Sequence, residues 1–190
     1  MPVYLFTFHA YQSWMPDHRR GYTRRGKGYQ KPDPEMARRY REKAKSEPIE
    51  FDRATQRALI EELQSASKHQ DFRLHAGSSE PSHIHGLVSW KGFRPWVEVR
   101  KQIKSSLSRR LTREYDELRD SLDVEISDPT DSRDATRRES SEENGRWVLK
   151  LSRGASRKRV ENRKHFTHLM TKYLVAHKGV KWFEDRGWVE

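Results

Sequence analysis

The sequence predicts an α+β sandwich in which helices pack on a central antiparallel sheet. Short apolar runs alternate with longer stretches of helical periodicity, and no internal repeat interrupts them. The predicted order is strand, helix, strand, strand, helix, strand, helix. The first six elements follow the split βαβ arrangement of ferredoxin-like and RRM-like folds, and the seventh adds a C-terminal helix.

The first strand and first helix are predicted from residue type and spacing. The run VYLFTFHAY near the N-terminus is rich in β-branched and aromatic residues, which is typical of a buried strand. Residues 51–70 place Ala58, Leu59 and Leu63 at helical spacing, and Asp52 stands where an N-cap is needed. This segment is therefore expected to be an amphipathic helix.

Two further strands, DFRLHAG and SHIHGLVSW, are separated by the small residues and proline of 77–81, which predicts a hairpin with its loop there. A second helix is expected from about Pro95, with Lys and Arg around an apolar stripe. The residues of that stripe recur at four-residue steps: Val99, Ile103, Leu107 and Leu111.

The C-terminal third predicts one more strand and the final helix. The run RWVLKLS, residues 146–152, is typical of a short strand, and RGASRKRVENRK after it predicts a basic turn. Apolar residues from Phe166 to Leu174 have helical spacing, and this spacing continues to His177 before Gly179.

Two insertions are expected within a single domain of residues 1–190. Residues 17–45 hold eleven Lys or Arg and four Asp or Glu, with three glycines, so they predict a mobile basic loop with a short helix near 36–45. Residues 114–145 hold twelve acidic and four basic residues with many Ser and Thr, so they predict a solvated or disordered acidic insertion.

The charge balance favours a polyanionic partner. The formal net charge is +11, which points to nucleic acid ahead of an anionic membrane surface, although a basic surface with no such partner remains an alternative. The chain has no cysteine, which excludes disulfides and thiolate metal sites. No signal-peptide pattern or long apolar stretch occurs, so a cytoplasmic protein is expected, associated with the nucleoid if its partner is DNA.

Two pairs of residues suggest chemistry. His83 and His85 are two apart on a predicted strand, so both imidazoles point to one side. Tyr173 and His177 are four apart on the predicted C-terminal helix, so they share a face. If that face packs over the strand, three imidazoles could hold a metal ion beside a tyrosine hydroxyl. Taken singly, each of these residues is more often a core or surface residue.

The His83-Ile84-His85 triplet resembles the histidine-hydrophobic-histidine motif of HUH endonucleases, and Tyr173 with a polar residue four positions later resembles their single-tyrosine transposase branch. Within that branch the chain is most similar to the REP-associated tyrosine transposases, an insertion-sequence-like family. The strand LFTFHAY, the helix VRKQIKSSLSRRL and the segment RWVLKLSRGASRKR agree with the likeness. Members more often carry Asn or Gln where this chain has His177.

The resemblance implies a metal-dependent endonuclease and strand transferase of single-stranded DNA, active in transposition and recombination. Tyr173 is implied as the nucleophile that forms a 5′-phosphotyrosine, and His83, His85 and His177 as ligands of Mg²⁺ or Mn²⁺; three imidazoles also suit Zn²⁺. The implied substrate is an imperfect hairpin, bound by a monomer or homodimer.

Basic and aromatic residues are candidate DNA contacts. Tyr22, Tyr29 and Trp90 are candidates for stacking on unpaired bases. The candidate phosphate contacts are Arg19, Arg20, Arg24, Arg25, Lys27, Arg100, Lys101, Lys104, Arg109, Arg110, Arg153, Arg157, Lys158 and Arg159.

Three other functions stay open. The first is a non-catalytic nucleic-acid-binding protein derived from a transposase, which would not need the histidines and the tyrosine together. The second is a rolling-circle replication initiator or relaxase, but those proteins commonly carry a lysine soon after the tyrosine, where this chain has Ala176 and His177. The third is a zinc hydrolase, which has no obvious use for the positive charge.

Overall fold

A computed structural model describes residues 1–24, 26–44, 48–125 and 151–189, and within 115–125 and 151–156 it describes the backbone only. Within these ranges the chain forms eight strands, four α-helices and one π-helical segment. In chain order they are β1 (Val3–Ala10), β2 (Tyr22–Arg24), β3 (Gly28–Gln30), α1 (Pro34–Glu42), α2 (Arg53–His69), β4 (Arg73–Glu80), β5 (His83–Ser89), α3 (Trp96–Glu125), β6 (Leu151–Arg159), α4 (Arg163–His168), the π-helical segment Leu169–Tyr173, β7 (Val180–Phe183) and β8 (Gly187–Val189).

Six strands form one sheet in the order β6-β1-β5-β4-β7-β8, and every neighbouring pair is antiparallel. Strand β5 lies between β1 and β4, the two strands that α2 connects, and this insertion is what defines a split βαβ unit. The predicted α+β sandwich with a central antiparallel sheet is therefore confirmed. The β7–β8 hairpin at the sheet edge was not predicted.

The two faces of the sheet have different coverings because side chains alternate along each strand. On one face, here called the helix face, Phe6 and Phe8 of β1 pack with residues of α2 and α3 such as Leu59 and Ile103. On the other face, here called the site face, a smaller apolar cluster joins the sheet to the C-terminal segment. Its buried members are Leu5, Ala76, Leu87, Leu169, Leu174 and Phe183.

Both long helices match their predictions. The Asp52 carboxylate accepts the Thr55 backbone N–H at 2.7 Å, so it caps α2 as expected. The apolar stripe of α3 is buried along its length: Val99, Ile103, Leu107 and Leu111. No helix among the described residues is both long and apolar enough to cross a membrane.

The predicted loop at 77–81 is wrong, because β4 runs through Gly77, Ser78 and Ser79 to Glu80 and the chain turns only at Pro81 and Ser82. The small residues serve packing rather than turning. A Cβ added at Gly77 would lie 3.3 Å from Cγ2 of Ile60, so α2 approaches the strand closely there. Both serines are fully buried.

The basic segment after Leu151 is also a strand rather than a turn. Strand β6 pairs with β1 as far as Arg159, and residues 146–150 of the predicted strand lie outside the described residues. An edge strand tolerates outward Lys and Arg because these side chains reach solvent.

The two predicted insertions contain regular structure. Within 17–45, β2 and β3 form a separate hairpin, and α1 confirms the short helix although it begins earlier, at Pro34. In the acidic segment, α3 continues to Glu125, and residues 126–145 lie outside the described residues. The division of the chain into one domain with two insertions stays a prediction.

Gly179, between the π-helical segment and β7, would make the shortest contact of the described glycines if a Cβ were added. A Cβ there would lie 1.7 Å from the Ser79 carbonyl oxygen and 2.7 Å from Gln56 Oε1. We expect Gly179→Ala to lower the free energy of unfolding by about 3 kcal/mol, because the clash involves backbone.

Gly86→Ala is the matched control, since a Cβ at Gly86 meets only side-chain atoms at 3.5 Å or more. It should change stability by less than about 1 kcal/mol. Urea titrations of both variants measure the difference, and equal loss in the two would contradict the steric explanation.

Candidate metal and nucleophile site

The two strand histidines lie on the site face of the central strand. His83 and His85 of β5 are in register with His9 and Thr7 of β1, and Leu87 follows them on the same face. Strand β5 has a paired neighbour on both sides, so the positions of the imidazoles are fixed by the sheet. The sequence prediction that both rings share one face is confirmed by this register.

The tyrosine segment approaches the same face. Asn162 caps α4 by accepting the His165 N–H at 2.9 Å, and Leu169 and Leu174 are buried in the site-face cluster. The backbone N–H of Leu174 donates to the Leu169 carbonyl at 2.9 Å, which is π-helical geometry. Such single turns occur often at functional sites. Tyr173 ends the π-helical segment with 41% of its surface exposed.

His177 lies beyond the end of this helix, so the prediction of continuous helical spacing from Tyr173 is wrong in detail. The chain turns after Tyr173, and the His177 N–H donates to the Leu174 carbonyl at 3.3 Å. The turn still keeps the two side chains together, because their ring centroids are 5.3 Å apart.

His83, His85 and His177 form a candidate metal site. Each offers one nitrogen, and these three atoms lie within 4.8 Å of one another. In each ring Nδ1 already has an oxygen partner: Ser82 Oγ at 2.8 Å for His83, Thr7 Oγ1 at 2.7 Å for His85, and Glu80 Oε1 at 2.9 Å for His177.

The second nitrogen of each ring, Nε2, is thus the one available to a metal. Oxygen partners on the other nitrogen are the usual support of metal-bound histidines. Nε2 of His85 is buried and has no hydrogen-bond partner, and a bound cation would accept its lone pair. The chain's own residues therefore fit a divalent ion.

Burial keeps the strand histidines neutral. It lowers the pKa of His85 to about 2, and the neighbouring His83, His177 and His9 act in the same direction. Burial likewise lowers the pKa of His83 to about 4, helped by His9 and His177 and opposed by Glu80. Neutral imidazole is the form that binds metals, so at neutral pH these ligands need not lose protons first.

Tyr173 faces the histidines across a short gap. Its ring centroid is 5.5 Å from that of His85. Burial raises the pKa of its hydroxyl; the positive charge of Arg20 acts against this increase, and the carboxylate of Glu80 adds to it. The phenol is therefore protonated at neutral pH in the absence of metal or substrate.

Glu80 is a functional candidate that the sequence analysis missed. Its Oε1 accepts both His177 Nδ1–H at 2.9 Å and the Lys178 backbone N–H at 3.1 Å. Burial raises the pKa of this carboxyl, but the Lys178 hydrogen bond and the electrostatic effects of His177 and His83 outweigh it, so the net pKa is lowered. Glu80 ties the third histidine to β4.

We expect Glu80→Ala to weaken metal binding by about 10- to 100-fold, because His177 loses the partner that orients its ring. Glu80→Gln retains an acceptor oxygen and should restore part of the affinity. Titration with Mn²⁺ measures both. Equal affinity of the alanine variant and the native chain would contradict the orienting role.

A cleft of about 1280 Å³ opens over the histidines and Tyr173. This exceeds the range typical of small-molecule pockets. Its other walls come from the 17–45 segment and the tyrosine helix. Aromatic and cationic residues line it: Arg20, Tyr22, Arg24, Tyr29, Tyr40 and Lys172.

The predicted phosphate contacts divide into two groups. Arg20 and Arg24 line the cleft, and Arg19 and Lys27 are exposed on the same segment. The residues on α3 lie over the helix face, opposite the histidines: Arg100, Lys101, Lys104, Arg109 and Arg110.

The residues described on β6 do not reach the histidines either. The guanidinium of Arg157 lies 3.6 Å from the centre of the Trp96 ring, and Arg159 is in register with Tyr4 of the helix face. Lys158 is in register with Leu5, which lies near the N-terminal end of β1, whereas His9 lies near its C-terminal end. As DNA contacts all these residues stay predictions.

Trp90 is 2% exposed and its indole N–H donates to the Arg94 carbonyl at 2.9 Å, so the prediction that it stacks on bases is wrong. Arg25 lies outside the described residues, as does the side chain of Arg153.

No family model matches the chain, and no curated protein matches it. Among solved structures, the chain is similar to a REP-associated tyrosine transposase bound to a REP hairpin. The identity is 9%, the match covers 91% of this chain and 64% of that one, and the TM-score is 0.40. The chain thus spans less than two-thirds of that protein, which belongs to the family expected from the sequence motifs. Any functional conclusion depends on the site residues themselves.

Proposed function

We propose that the protein cuts and rejoins single-stranded DNA through a covalent bond to Tyr173, as a metal-dependent transposase-like enzyme. One observation carries the proposal. Three histidine nitrogens lie within 4.8 Å of one another, and the ring of Tyr173 lies 5.5 Å from His85 and 5.3 Å from His177. A binding module needs neither the convergent imidazoles nor the adjacent phenol.

The tyrosine hydroxyl supplies the nucleophile. Its oxygen forms a bond to phosphorus as the bond from phosphorus to the 3′ oxygen breaks. The phenol loses its proton, and the released 3′ oxygen gains one to become a hydroxyl. The product is a 5′-phosphotyrosine. Because the linkage conserves the phosphodiester energy, a second 3′-hydroxyl can reverse the step and join a new strand without a nucleotide cofactor.

The histidines would hold the divalent ion through Nε2, with Glu80, Ser82 and Thr7 as supports of the rings. When bound, such an ion polarises a phosphate oxygen and offsets the charge that develops there. Mn²⁺ suits both the imidazole ligands and a phosphate oxygen, and it is our first choice ahead of Mg²⁺.

The positive charge of the cleft supports a nucleic-acid substrate. Arg20, Arg24 and Lys172 line it beside Tyr173, and the chain as a whole carries +11. We infer a single-stranded hairpin substrate, a monomeric or homodimeric enzyme, and a location with DNA in the nucleoid.

The decisive experiment is a search for a protein–DNA adduct that survives denaturation. The native chain is incubated with labelled hairpin oligonucleotides carrying varied single-stranded flanks, with Mn²⁺ or with a chelator. Adduct is expected with Mn²⁺ and not with the chelator. Tight DNA binding without adduct on any oligonucleotide would overturn the proposal and favour a non-catalytic nucleic-acid-binding protein.

A further inference from the structure

Residues 17–24 and 26–44 contribute one wall of the cleft. The Asp33 N–H donates to the Pro16 carbonyl at 2.9 Å, and the guanidinium of Arg41 contacts the Asp17 carboxylate at 2.5 Å. The Trp14 indole N–H donates to the Gly21 carbonyl at 3.3 Å, which joins the hairpin to the end of β1. The contacts with Pro16 and Trp14 connect the segment to residues that follow β1, and the Arg41–Asp17 pair holds α1 to the start of the segment.

Two aromatic side chains of this wall are largely open to solvent. Tyr29 is 68% exposed and Tyr40 is 55% exposed, and both line the cleft. Trp14 also lines it, but its ring already stacks on His18 at 3.9 Å. Large exposed aromatic groups on one wall are typical of a binding surface.

Some arginines of the segment are paired with carboxylates and others are not. On α1, Arg38, Arg39 and Arg41 are each paired with a carboxylate. Neither Arg20 nor Arg24, which line the cleft, forms an ion pair with any described residue. Part of the uncompensated positive charge of the segment therefore lies in the cleft, at Arg20 and Arg24.

Acidic groups do not cancel this charge. Among the described residues that line the cleft, Glu80 is the only acid, and its carboxylate is engaged by His177 and Lys178. Exposed rings beside unpaired guanidinium groups are complementary to unpaired bases on a phosphate backbone, rather than to a duplex whose bases are already stacked.

We propose that this wall binds the single-stranded nucleotides next to the bond that is cut, with bases stacked on Tyr29 and Tyr40 and phosphates against Arg20 and Arg24. The placement beside the cut bond rests on the proposed function, because it takes Tyr173 as the attacking group. The stacking itself does not. Stacking tolerates any base, so this wall holds the strand without selecting its sequence.

Abasic DNA separates stacking from charge. Affinities are measured by fluorescence anisotropy in the Tyr173→Phe background, with a single-stranded oligonucleotide, the same strand with abasic sites, and a duplex. Tyr40→Ala and Tyr29→Ala should each weaken binding of the intact strand about tenfold. Both should change binding of the abasic strand and the duplex less than about twofold.

Two variants serve as controls. Phe93→Ala removes a fully exposed ring from the β5–α3 loop, which does not line the cleft, and should leave all three affinities unchanged. Tyr29 lies against Gly21, so its truncation could disturb the hairpin. Tyr29→Phe keeps the ring and should bind all three DNAs like the Tyr173→Phe chain from which it is made. Tyr40→Ala provides an independent result on α1.

Equal losses on intact and abasic strands, or no loss on the intact strand, overturn the stacking proposal. An adduct formed by the native chain in those cases leaves the proposed function standing. If the variants lose affinity for the intact strand only, and the native chain forms no adduct, the stacking proposal stands and the nuclease function fails.

Discussion

Replacing Tyr173 by phenylalanine is expected to lower the yield of covalent protein–DNA adduct by at least about 10⁴-fold, because it removes the only oxygen of the side chain that attacks phosphorus. The ring remains, so its packing near His85 and His177 is retained. DNA and metal affinities should therefore stay within about twofold of native values.

The matched control is Tyr11→Phe, which removes a hydroxyl from a partly buried tyrosine that does not line the cleft. It should form adduct at the native rate. Denaturing gels with labelled oligonucleotides and Mn²⁺ measure both variants, and peptide mapping of the native adduct locates the bond. Undiminished adduct in Tyr173→Phe would assign the nucleophile to another residue.

Replacing His85 by alanine is expected to weaken divalent-ion binding by more than about 100-fold, because the most buried ligand disappears. This loss is larger than the one expected for Glu80→Ala, which removes only a residue that supports a ligand. Adduct formation should be lost with it. The change also leaves Thr7 without its imidazole partner, so the thermal stability of the variant is measured alongside.

His69→Ala is the control for His85→Ala, since His69 lies exposed at the end of α2, away from the site. It should bind metal like the native chain. His83→Ala supplies an independent loss if His85→Ala folds poorly. Retained affinity in both strand variants would contradict the three-histidine site.

The sequence was sufficient where one local rule decides the outcome. Alternation along β5 puts His83 and His85 on one face, and the four-residue steps of Val99 and Ile103 place α3 in the core. The order of the four predicted strands in the sheet, β6-β1-β5-β4, follows from the order of strands and helices along the chain. The proximity of Tyr173 and His177 also follows from their separation, although the chain turns between them.

The sequence was insufficient where tertiary contacts override local preference. Gly77 and Ser78 have the composition of a loop, but both lie in β4. The close approach of α2 requires a small residue at Gly77, and Ser78 is fully buried. The true turn begins one residue after Glu80, which places that carboxylate beside His177. Trp90 was misjudged because nothing in its sequence neighbourhood reveals that it is covered.

The three candidate ligands come from two distant parts of the chain, and this has a consequence for folding. His83 and His85 lie on β5, whereas His177 follows the tyrosine helix more than ninety residues later. A bound ion would close that long loop and cross-link the central strand to the C-terminal segment, so it stabilises the folded chain by an amount that grows with the logarithm of the metal concentration above Kd. The same cross-link restrains Tyr173, four residues away. A rise in melting temperature on adding metal that His177→Ala abolishes would thus report the docking of the nucleophile, before any DNA is present.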